Sequence, residues 1–354
     1  MSDDPFKIRI THDDLSNVNV PQEPIMSNLP PGQMTYGQRD WGHVGQNPTA
    51  SGSSGGSIFM TAWFYLGLAG LIGGFGAWAI CEPHFIDGRG PEEWGNTLMI
   101  PLLVAFMSLG YGIAESIVER SATKAIIRGI LSLVLGIILG FIFDYIANVL
   151  YTIGLHIIAQ QGELTAKSPA LWIVRSLAWM VFGISGGLIY GIVGQSGKKI
   201  LYGMLGGAIG AGIGGILFDP ISLLTNGAGP SRAIGMSIFA IATGVSMGLV
   251  ESALKDRWLH VASGPLAGKQ FILYKANTAI GSQQNCDIYL FKDPSILPTH
   301  ATLISRGPQM FLQATGPVSV NGMPVNQHNL RSGDTIQIGK YVFNYQEKGA
   351  SGRN

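Results

Sequence analysis

The sequence predicts an α-helical membrane bundle of six spans, arranged as three hairpin repeats, followed by a C-terminal all-β sandwich. Three observations support this fold class. Charged residues make up only 12% of the 354 residues, whereas a soluble globular protein carries about 25%. Long apolar runs fill the chain between Ser57 and Val250. Beyond them, short apolar runs alternate with turn residues, which is typical of sandwiches and barrels.

Composition divides the chain into four parts. Residues 1–57 are polar and rich in Pro, Asn, Gln, Ser and Gly. No apolar run follows a basic start, so we expect a disordered cytoplasmic tail and no cleavable signal peptide. Residues 58–253 form the predicted membrane domain and residues 258–346 the predicted sandwich. Residues 347–354 are predicted to be a second disordered tail.

Six runs are long enough to cross a bilayer, which takes about 20 apolar residues in a helix. They lie at about residues 58–80, 97–117, 124–143, 170–193, 200–218 and 232–252. Segment 145–160 is also apolar, although Asn148 and His156 interrupt it. It is interpreted as an extension of the third span or as a helix lying in the interface, and a seventh span is the alternative.

Charged loop residues predict the orientation, because Lys and Arg concentrate in cytoplasmic loops. Cations lie between spans two and three, between spans four and five, and after span six: Arg120, Lys124, Arg128, Lys198, Lys199, Lys255 and Arg257. The alternate loops are acidic, with the exceptions Arg89, Lys167, Arg175 and Arg232. We therefore expect both termini in the cytoplasm. The organisation of the chain, a cytoplasmic C-terminal domain on a multi-pass anchor without a sorting signal, suits a bacterial inner membrane.

Charge and cysteine content exclude some classes of protein. The formal net charge of +1 gives no case for nucleic-acid binding. Cys81 and Cys286 are far apart in sequence and have no metal-ligand spacing. Both are predicted to be small buried residues without a disulfide.

An internal repeat is predicted in the membrane domain. Spans four and six align at an offset of 57, and spans three and five at an offset of 75. Arg175 thus matches Arg232, and Asp144 matches Asp219. Small residues four positions apart form one face of the odd spans: Ser132, Gly136 and Gly140, then Gly206, Gly210 and Gly214. Such faces favour close helix packing, and pore lining is the alternative.

Five acidic residues stand at predicted span ends. Glu82, Asp144 and Asp219 end odd spans on the outer side, and Glu115 and Glu251 end even spans on the inner side. Ionisable residues in a membrane mark functional sites, but a carboxylate at a span end can also simply meet water. Two interpretations stay open, namely contact with the aqueous interface and an ion or proton path.

The last ninety residues contain a specific series of motifs. They are Gly281, Cys286-Asp287-Ile288, Asp293-Pro294-Ser295-Ile296, His300-Ala301, Asn321-Gly322 and Gly333-Asp334-Thr335-Ile336. Their order and spacing resemble the forkhead-associated (FHA) domain, a β-sandwich that recognises phosphothreonine peptides. The resemblance implies that Gly281, His300 and Gly322 are structural residues of the motif. It places Ser282, Ser295, Thr299 and Asn321 at the peptide-binding surface. Asn-Gly is also the usual pair for a tight hairpin turn.

The chain departs from the FHA pattern where phosphate binds. The family has Arg after the glycine and Ser in the later loop, whereas this chain has Ser282 and Leu297 there. Arginine suits phosphate because its planar fork makes charge-assisted bonds to the anion. We therefore expect a domain degenerate for phosphothreonine. Arg306, Lys292 and Lys269 remain as other sources of positive charge.

The sequence predicts a protein that is not an enzyme, because no catalytic set, metal spacing or phosphate-cradling loop occurs. No cofactor or metal is expected. The first hypothesis is a membrane signalling or scaffold protein whose FHA-like module docks a protein or phosphoprotein at the cytoplasmic face. The alternative is a small channel or transporter built from the hairpin repeats and regulated by the module. A third possibility is an architectural homo-oligomer held by the glycine faces within the lipid bilayer.

Overall fold

The computed structural model describes residues 58–89, 92–162, 165, 167–224 and 228–349. The predicted tail over residues 1–57 lies outside the described residues. Six long helices come first: α1 (Ala62–Cys81), α2 (Trp94–Val118), α3 (Ala122–Gln160), α4 (Pro169–Val193), α5 (Gly197–Leu224) and α6 (Ala228–Leu254). Each contains a segment long and apolar enough to cross a membrane, which confirms the six predicted long apolar helices.

The six helices form a closed ring. Each packs against the next along the chain, α6 packs back against α1, and α2 also contacts α4. Large side chains of the even-numbered helices fill the centre, among them the buried Tyr111, Phe182, Phe239 and Met247. The rings of Trp179 and Phe239 meet edge to face, with centroids 5.0 Å apart. The ring therefore encloses a packed core.

Glycines allow the helices of the ring to approach closely. A Cβ added to Gly203 of α5 would lie 2.6 Å from the Gly187 carbonyl oxygen of α4. On α3, a Cβ on Gly136 would lie 2.6 Å from Ala105 Cα of α2. Lipid provides no hydrophobic drive between helices, so such contacts stabilise the ring through dispersion and packing. The threefold repeat itself stays a prediction.

Helix α3 is longer than the predicted third span. Segment 145–160 continues the same helix to Gln160, as expected if it extends the span. The Asn148 amide donates to the Asp144 carbonyl oxygen at 3.0 Å, and the Thr152 hydroxyl donates to the Asn148 carbonyl oxygen at 2.8 Å. These polar side chains therefore bond within the helix and do not interrupt it. Its 39 residues span about 58 Å, against about 30 Å for the hydrocarbon core of a bilayer.

Nine strands follow the ring: β1 (Arg257–Ser263), β2 (Gln270–Ile272), β3 (Asn277–Gly281), β4 (Ile288–Tyr289), β5 (Ala301–Arg306), β6 (Gln309–Val320), β7 (Met323–Leu330), β8 (Thr335–Ile338) and β9 (Tyr341–Glu347). Their order is β2-β1-β9-β8-β6-β5-β3-β4, and β7 pairs with β6. The predicted all-β sandwich is confirmed. Fully buried residues such as Leu259, Ile280, Leu303 and Phe343 form its core.

Strand β6 joins the two layers of the sandwich. Its first half pairs with β5, and Val318–Val320 pairs with β8. Gly316 and Pro317 lie at a bulge within this strand, where the Thr315 and Gly316 amides donate to the His300 carbonyl oxygen. Asn321 and Gly322 form the turn into β7 with φ values of 52° and 81°. Positive φ at both positions is what a type I′ hairpin turn requires.

The C-terminal boundary differs from the prediction. Strand β9 continues to Glu347, and the Lys348 amide donates to the Asp256 carbonyl oxygen at 2.8 Å. A tail beginning at residue 347 therefore starts too early, and residues 350–354 lie outside the described part. Cys81 and Cys286 are both buried and free, as predicted.

Candidate functional site

The end of β3 and the loop before β5 meet at one end of the sandwich, here called the loop end. The Ser282 amide donates to the Leu297 carbonyl oxygen at 3.0 Å, and the Gln283 amide donates to the Pro298 carbonyl oxygen at 3.2 Å. A Cβ on Gly281 would overlap the Pro298 carbonyl oxygen, so this approach requires glycine. The backbone contact brings the Ser282 and Leu297–Thr299 segments together.

His300 braces the loop end from inside. Its Nδ1 accepts from the Leu297 amide at 3.1 Å, and its Nε2 lies 3.0 Å from the Pro317 carbonyl oxygen. These two partners require a neutral ring with the proton on Nε2. The side chain is 2% exposed, and a Cβ on Gly316 would overlap its ring. His300 therefore links the loop to the bulge of β6.

Asp293 fixes the loop that contains Ser295. Its Oδ1 accepts from the Ser295 hydroxyl at 2.6 Å and from the Ser295 amide at 3.0 Å. Its Oδ2 accepts from the Lys340 amide at 2.8 Å, which connects the loop to the β8–β9 turn. These bonds, the Ser295 hydroxyl first, hold the pKa of Asp293 below its ordinary value. Ser295 keeps only its acceptor capacity for a ligand.

The structure separates Asn321 from the other three predicted peptide contacts. Its amide nitrogen donates to Asp334 Oδ1 at 2.8 Å, and its amide oxygen accepts from the Thr335 amide at 2.9 Å. The Tyr345 amide in turn donates to the Asp334 carbonyl oxygen. The Asn321-Gly322 turn is therefore bonded to the β7–β8 loop. The part of β6 that contacts His300 is instead the bulge at Thr315 and Gly316. Ser282, Ser295 and Thr299 share the loop end without Asn321.

The cations around the loop end, among them the exposed Lys292 and Lys340, do not occupy the positions where the FHA pattern has its phosphate ligands. Lys269 is buried against the bundle, with Nζ 4.9 Å from the ring centroid of Tyr65 on α1. Arg306 ends β5, about 17 Å along the strand from its start at the loop end. Lys292 is exposed within the loop. The Arg120 guanidinium, on the α2–α3 turn, lies 5.8 Å from the Phe291 ring centroid. Neutral groups occupy the position where the FHA pattern has its phosphate ligands.

The sandwich rests on the ring through the side that carries its two edge strands, β2 and β4. The Tyr274 hydroxyl, just after β2, donates to Glu251 Oε1 of α6 at 2.7 Å. The Lys124 ammonium of α3 donates to the Asp287 carbonyl oxygen, just before β4, at 3.2 Å. Edge strands are otherwise open to pairing with other chains, so this contact covers a vulnerable side of the sandwich.

A polar cavity of about 360 Å³, here called the interface cavity, lies between the ring and the sandwich. Glu115 accepts from Lys199 Nζ at 2.7 Å and from Arg128 Nη1 at 3.2 Å. Glu251, 4% exposed, accepts from the hydroxyls of Tyr190 and Tyr274. Both predicted inner acids therefore belong to a buried network that the sandwich completes. Sequence reasoning missed Tyr274, because nothing local links it to Glu251.

The predicted outer acids have cationic partners at the opposite end of the ring. Glu82 Oε1 lies 2.7 Å from Arg232 Nη2, and Asp219 Oδ2 lies 2.8 Å from Arg175 Nε. These two arginines were exceptions in the loop charge pattern, and the ion pairs explain their position. Asp144 differs, since no cation among the described residues lies within the 4 Å of an ion pair.

Comparisons with known proteins place the sandwich in a family. Residues 260–349 match a family described as the cytoplasmic domain of an inner membrane component of T3SS. An oxoglutarate dehydrogenase inhibitor of Corynebacterium jeikeium (strain K411) is 37% identical over 86 residues, which are 23% of this chain and 59% of that protein. Another of Corynebacterium diphtheriae is 30% identical over 126 residues, which are 35% of this chain and 79% of that protein. The C-terminal domain of this chain belongs to the forkhead-associated family.

Structural comparison and coverage define the extent of this likeness. The FHA domain of the CT664 protein from Chlamydia trachomatis aligns with 24% identity and a TM-score of 0.25, covering 27% of this chain and 100% of that one. The chain spans little more than half the length of the first curated relatives, 59% in the C. jeikeium protein. The family match, residues 260–349, lies within the sandwich.

Proposed function

We propose that this chain is an integral membrane docking protein, with the ring as its anchor and the FHA domain as its protein-interaction module. Binding of the partner at the loop end does not require phosphate. One observation carries this proposal: Ser282 and Leu297 are neutral where the FHA pattern has its phosphate ligands, and Lys269 is turned into the interface with the ring.

The charge distribution supports a cytoplasmic position for the FHA domain. The end of the ring that contacts the sandwich carries Arg120, Lys124, Arg128, Lys198 and Lys199, and cytoplasmic loops are the cation-rich ones. The match to a family described as a cytoplasmic domain at an inner membrane supports the same arrangement. Partners of this proposed scaffold therefore lie in the cytoplasm.

The contact with the ring supports presentation of the loop end in a fixed orientation. Tyr274, Lys269 and the Asp287 carbonyl each touch a different helix, α6, α1 and α3. The exposed Leu297 and its neighbours are left uncovered by these contacts. A partner bound there is held at a defined position above the membrane surface, which is what a scaffold needs.

The channel or transporter alternative has less support. Glu82, Glu115 and Asp219 are engaged in ion pairs. Buried side chains such as Tyr111 and Phe182 fill the ring between its two ends. A packed centre suits an anchor better than a path.

Binding of the purified full chain to matched phosphothreonine and unphosphorylated peptide libraries tests the proposal. We expect the two libraries to bind equally. The variant Ser282→Arg restores the family's arginine and is expected to bind the phosphorylated library about 10- to 100-fold better, the value of a charge-assisted hydrogen bond. The variant Ser319→Arg, on β6 outside the loop end, is the matched control.

The opposite result has a defined structural meaning. Phosphate-dependent binding by the unaltered chain would contradict the proposal. The double variant in which Arg120 and Lys292 are both changed to Ala then tests where the charge comes from, and a fall in binding is the informative result. It would show that the α2–α3 turn and the loop supply the missing charge together.

A further inference from the structure

We infer that the ring carries a second binding site, at the end away from the FHA domain, that takes a small organic ammonium cation. This inference is independent of the proposed docking function. The site is a cavity of about 510 Å³, here called the far cavity, lined in part by Asn96, Asp144, Tyr151 and Trp179. Sites for small molecules commonly measure about 300–1,000 Å³.

Two of the three predicted repeats use the same ion pair at this end of the ring. Arg175 of α4 pairs with Asp219 of α5, and Arg232 at the start of α6 pairs with Glu82, which follows α1. In each of these two ion pairs, the arginine belongs to an even-numbered helix, and the acid lies on, or directly after, the next helix around the ring. Each pair neutralises one carboxylate at the membrane boundary.

The third repeat lacks its arginine. If Glu115 of α2 is matched to Glu251 of α6, Asn96 stands where Arg232 does. The Asn96 amide nitrogen donates to the carbonyl oxygens of Ile86 and Arg89, at 3.0 and 2.7 Å. Asn96 is therefore occupied in holding the preceding loop and supplies no charge to α3.

Asp144 is the carboxylate left over by this substitution. It is half-buried at the cavity wall, and no Lys or Arg in the described part of the chain lies within 4 Å of it. A partly buried carboxylate without a counter-ion is costly. A cation from outside the chain would take the place that arginine fills in the other two repeats.

The charge balance of the far cavity also favours a cation. Four carboxylates line it or pair at its wall, Glu82, Asp87, Asp144 and Asp219, against the two guanidinium groups of Arg175 and Arg232. Two negative charges are therefore in excess among these described residues. An anionic ligand would add to this excess.

The walls of the far cavity are aromatic, which favours an organic cation over a metal ion. The Arg175 guanidinium already lies over the rings of Tyr151 and Phe218, 5.4 and 5.3 Å from their centroids. Trp179 and Phe182 complete this wall. Aromatic faces attract ammonium groups through the ring quadrupole, and Asp144 would provide the opposite charge.

Two sources could supply this chemistry, a free amine in solution and the ammonium headgroup of a lipid. The full chain is reconstituted in nanodiscs of phosphatidylglycerol alone, and its thermal unfolding is followed while choline or ethanolamine is added at millimolar concentration. The control ligand is 3,3-dimethylbutan-1-ol, the uncharged isostere of choline. We expect saturable stabilisation by the amines and none by the isostere.

Variants tie the effect to Asp144. Asp144→Asn keeps the shape and is expected to weaken amine binding about tenfold or more, whereas Asp144→Glu keeps the charge and most of the affinity. Glu92→Gln removes an exposed carboxylate from the preceding outer loop and should leave binding unchanged. Size-exclusion profiles show whether each variant is folded.

The outcomes separate the two sources and can overturn the inference. If phosphatidylethanolamine in the nanodisc stabilises the chain through Asp144 and competes with added amines, the ligand is a lipid headgroup. If that lipid has no effect and the free amines stabilise, the ligand is a solute. Equal stabilisation by the uncharged isostere, unchanged binding by Asp144→Asn, or no stabilisation by any amine or lipid would overturn it.

Discussion

Replacement of Tyr274 by Phe tests how the FHA domain is held on the ring. The change removes one hydroxyl, which donates to Glu251 Oε1 at 2.7 Å. The ring of Tyr274 remains and keeps its contact with Tyr202, whose centroid is 6.3 Å away. Burial first, and then the Glu251 carboxylate, raises the pKa of Tyr274 well above its ordinary value. The hydroxyl therefore stays protonated and can donate at neutral pH.

The expected loss follows from the burial of Glu251. This carboxylate is 4% exposed, and among the described residues its one other hydrogen bond comes from the Tyr190 hydroxyl at 3.2 Å. A hydrogen bond to a charged group contributes about 1.5–3 kcal/mol. The docked state of the sandwich should therefore become about 10- to 100-fold less favoured relative to an undocked one.

Amide hydrogen exchange in β2 and β4 measures this change, because undocking exposes the edges of both strands. Tyr289→Phe is the matched control: its ring lies beside Phe291, and no hydrogen bond of its hydroxyl is recorded among the described residues. Faster exchange is expected in the Tyr274 variant alone. Equal exchange in the two variants would refute the argument that the Tyr274–Glu251 bond holds the domain in place.

Two further predictions concern the ring and the loop end. Gly203→Ala would place a methyl 2.6 Å from the Gly187 carbonyl oxygen, so we expect a loss of about 1–3 kcal/mol and a lower unfolding temperature. Gly197→Ala, with nothing within 4 Å, should not lower it, and equal effects would contradict the packing argument. The lowered pKa of Asp293 means that its bonds stabilise the fold above about pH 4 and are lost as the pH falls through the folded value. Asp293→Asn should therefore flatten the acid-side fall in stability of the FHA domain, and unchanged acid profiles would refute this.

The helical ring was largely predictable because membrane spans are specified by local composition. Each of the six runs produced one helix, and the long α3 corresponds to one of the three interpretations of segment 145–160. The order of the helices around the ring could not be read in the same way. It depends on contacts such as Gly203 against Gly187, which any glycine-rich pair of helices in this chain could have offered.

The sandwich was predictable in class but not strand by strand. Strand β7 has the polar sequence Met-Pro-Val-Asn-Gln-His-Asn-Leu and leaves most of its residues exposed, so no apolar run announces it. Strand β3 is short, and its role depends on Gly281 approaching the Pro298 carbonyl. Both strands are defined by pairing with β5 and β6, which local sequence does not record.

Asn321 shows how one motif can carry two meanings. Asn-Gly predicted a hairpin turn from backbone physics, and the FHA resemblance also made Asn321 a peptide contact. The positive φ values at Asn321 and Gly322 agree with the turn, and both ends of the Asn321 amide are bonded to the β7–β8 loop. The role of Asn321 as a peptide contact stays a prediction, since it depends on which loop of the sandwich the partner meets.

The exceptions to the loop charge pattern, such as Arg175 and Arg232, were its most informative part. A guanidinium on the acidic side of a membrane domain opposes the usual bias, so a partner is needed to hold it there. Arg175 and Arg232 have such partners in Asp219 and Glu82, and a search for acids at matching repeat positions could have found both pairs from the sequence. Applied to the predicted repeat, the same reasoning singles out Asp144, because the predicted alignment places Asn96 at the position of the matching arginine. A repeat that keeps the acid and loses the base is a stronger reason to look for an external cation than the acid alone.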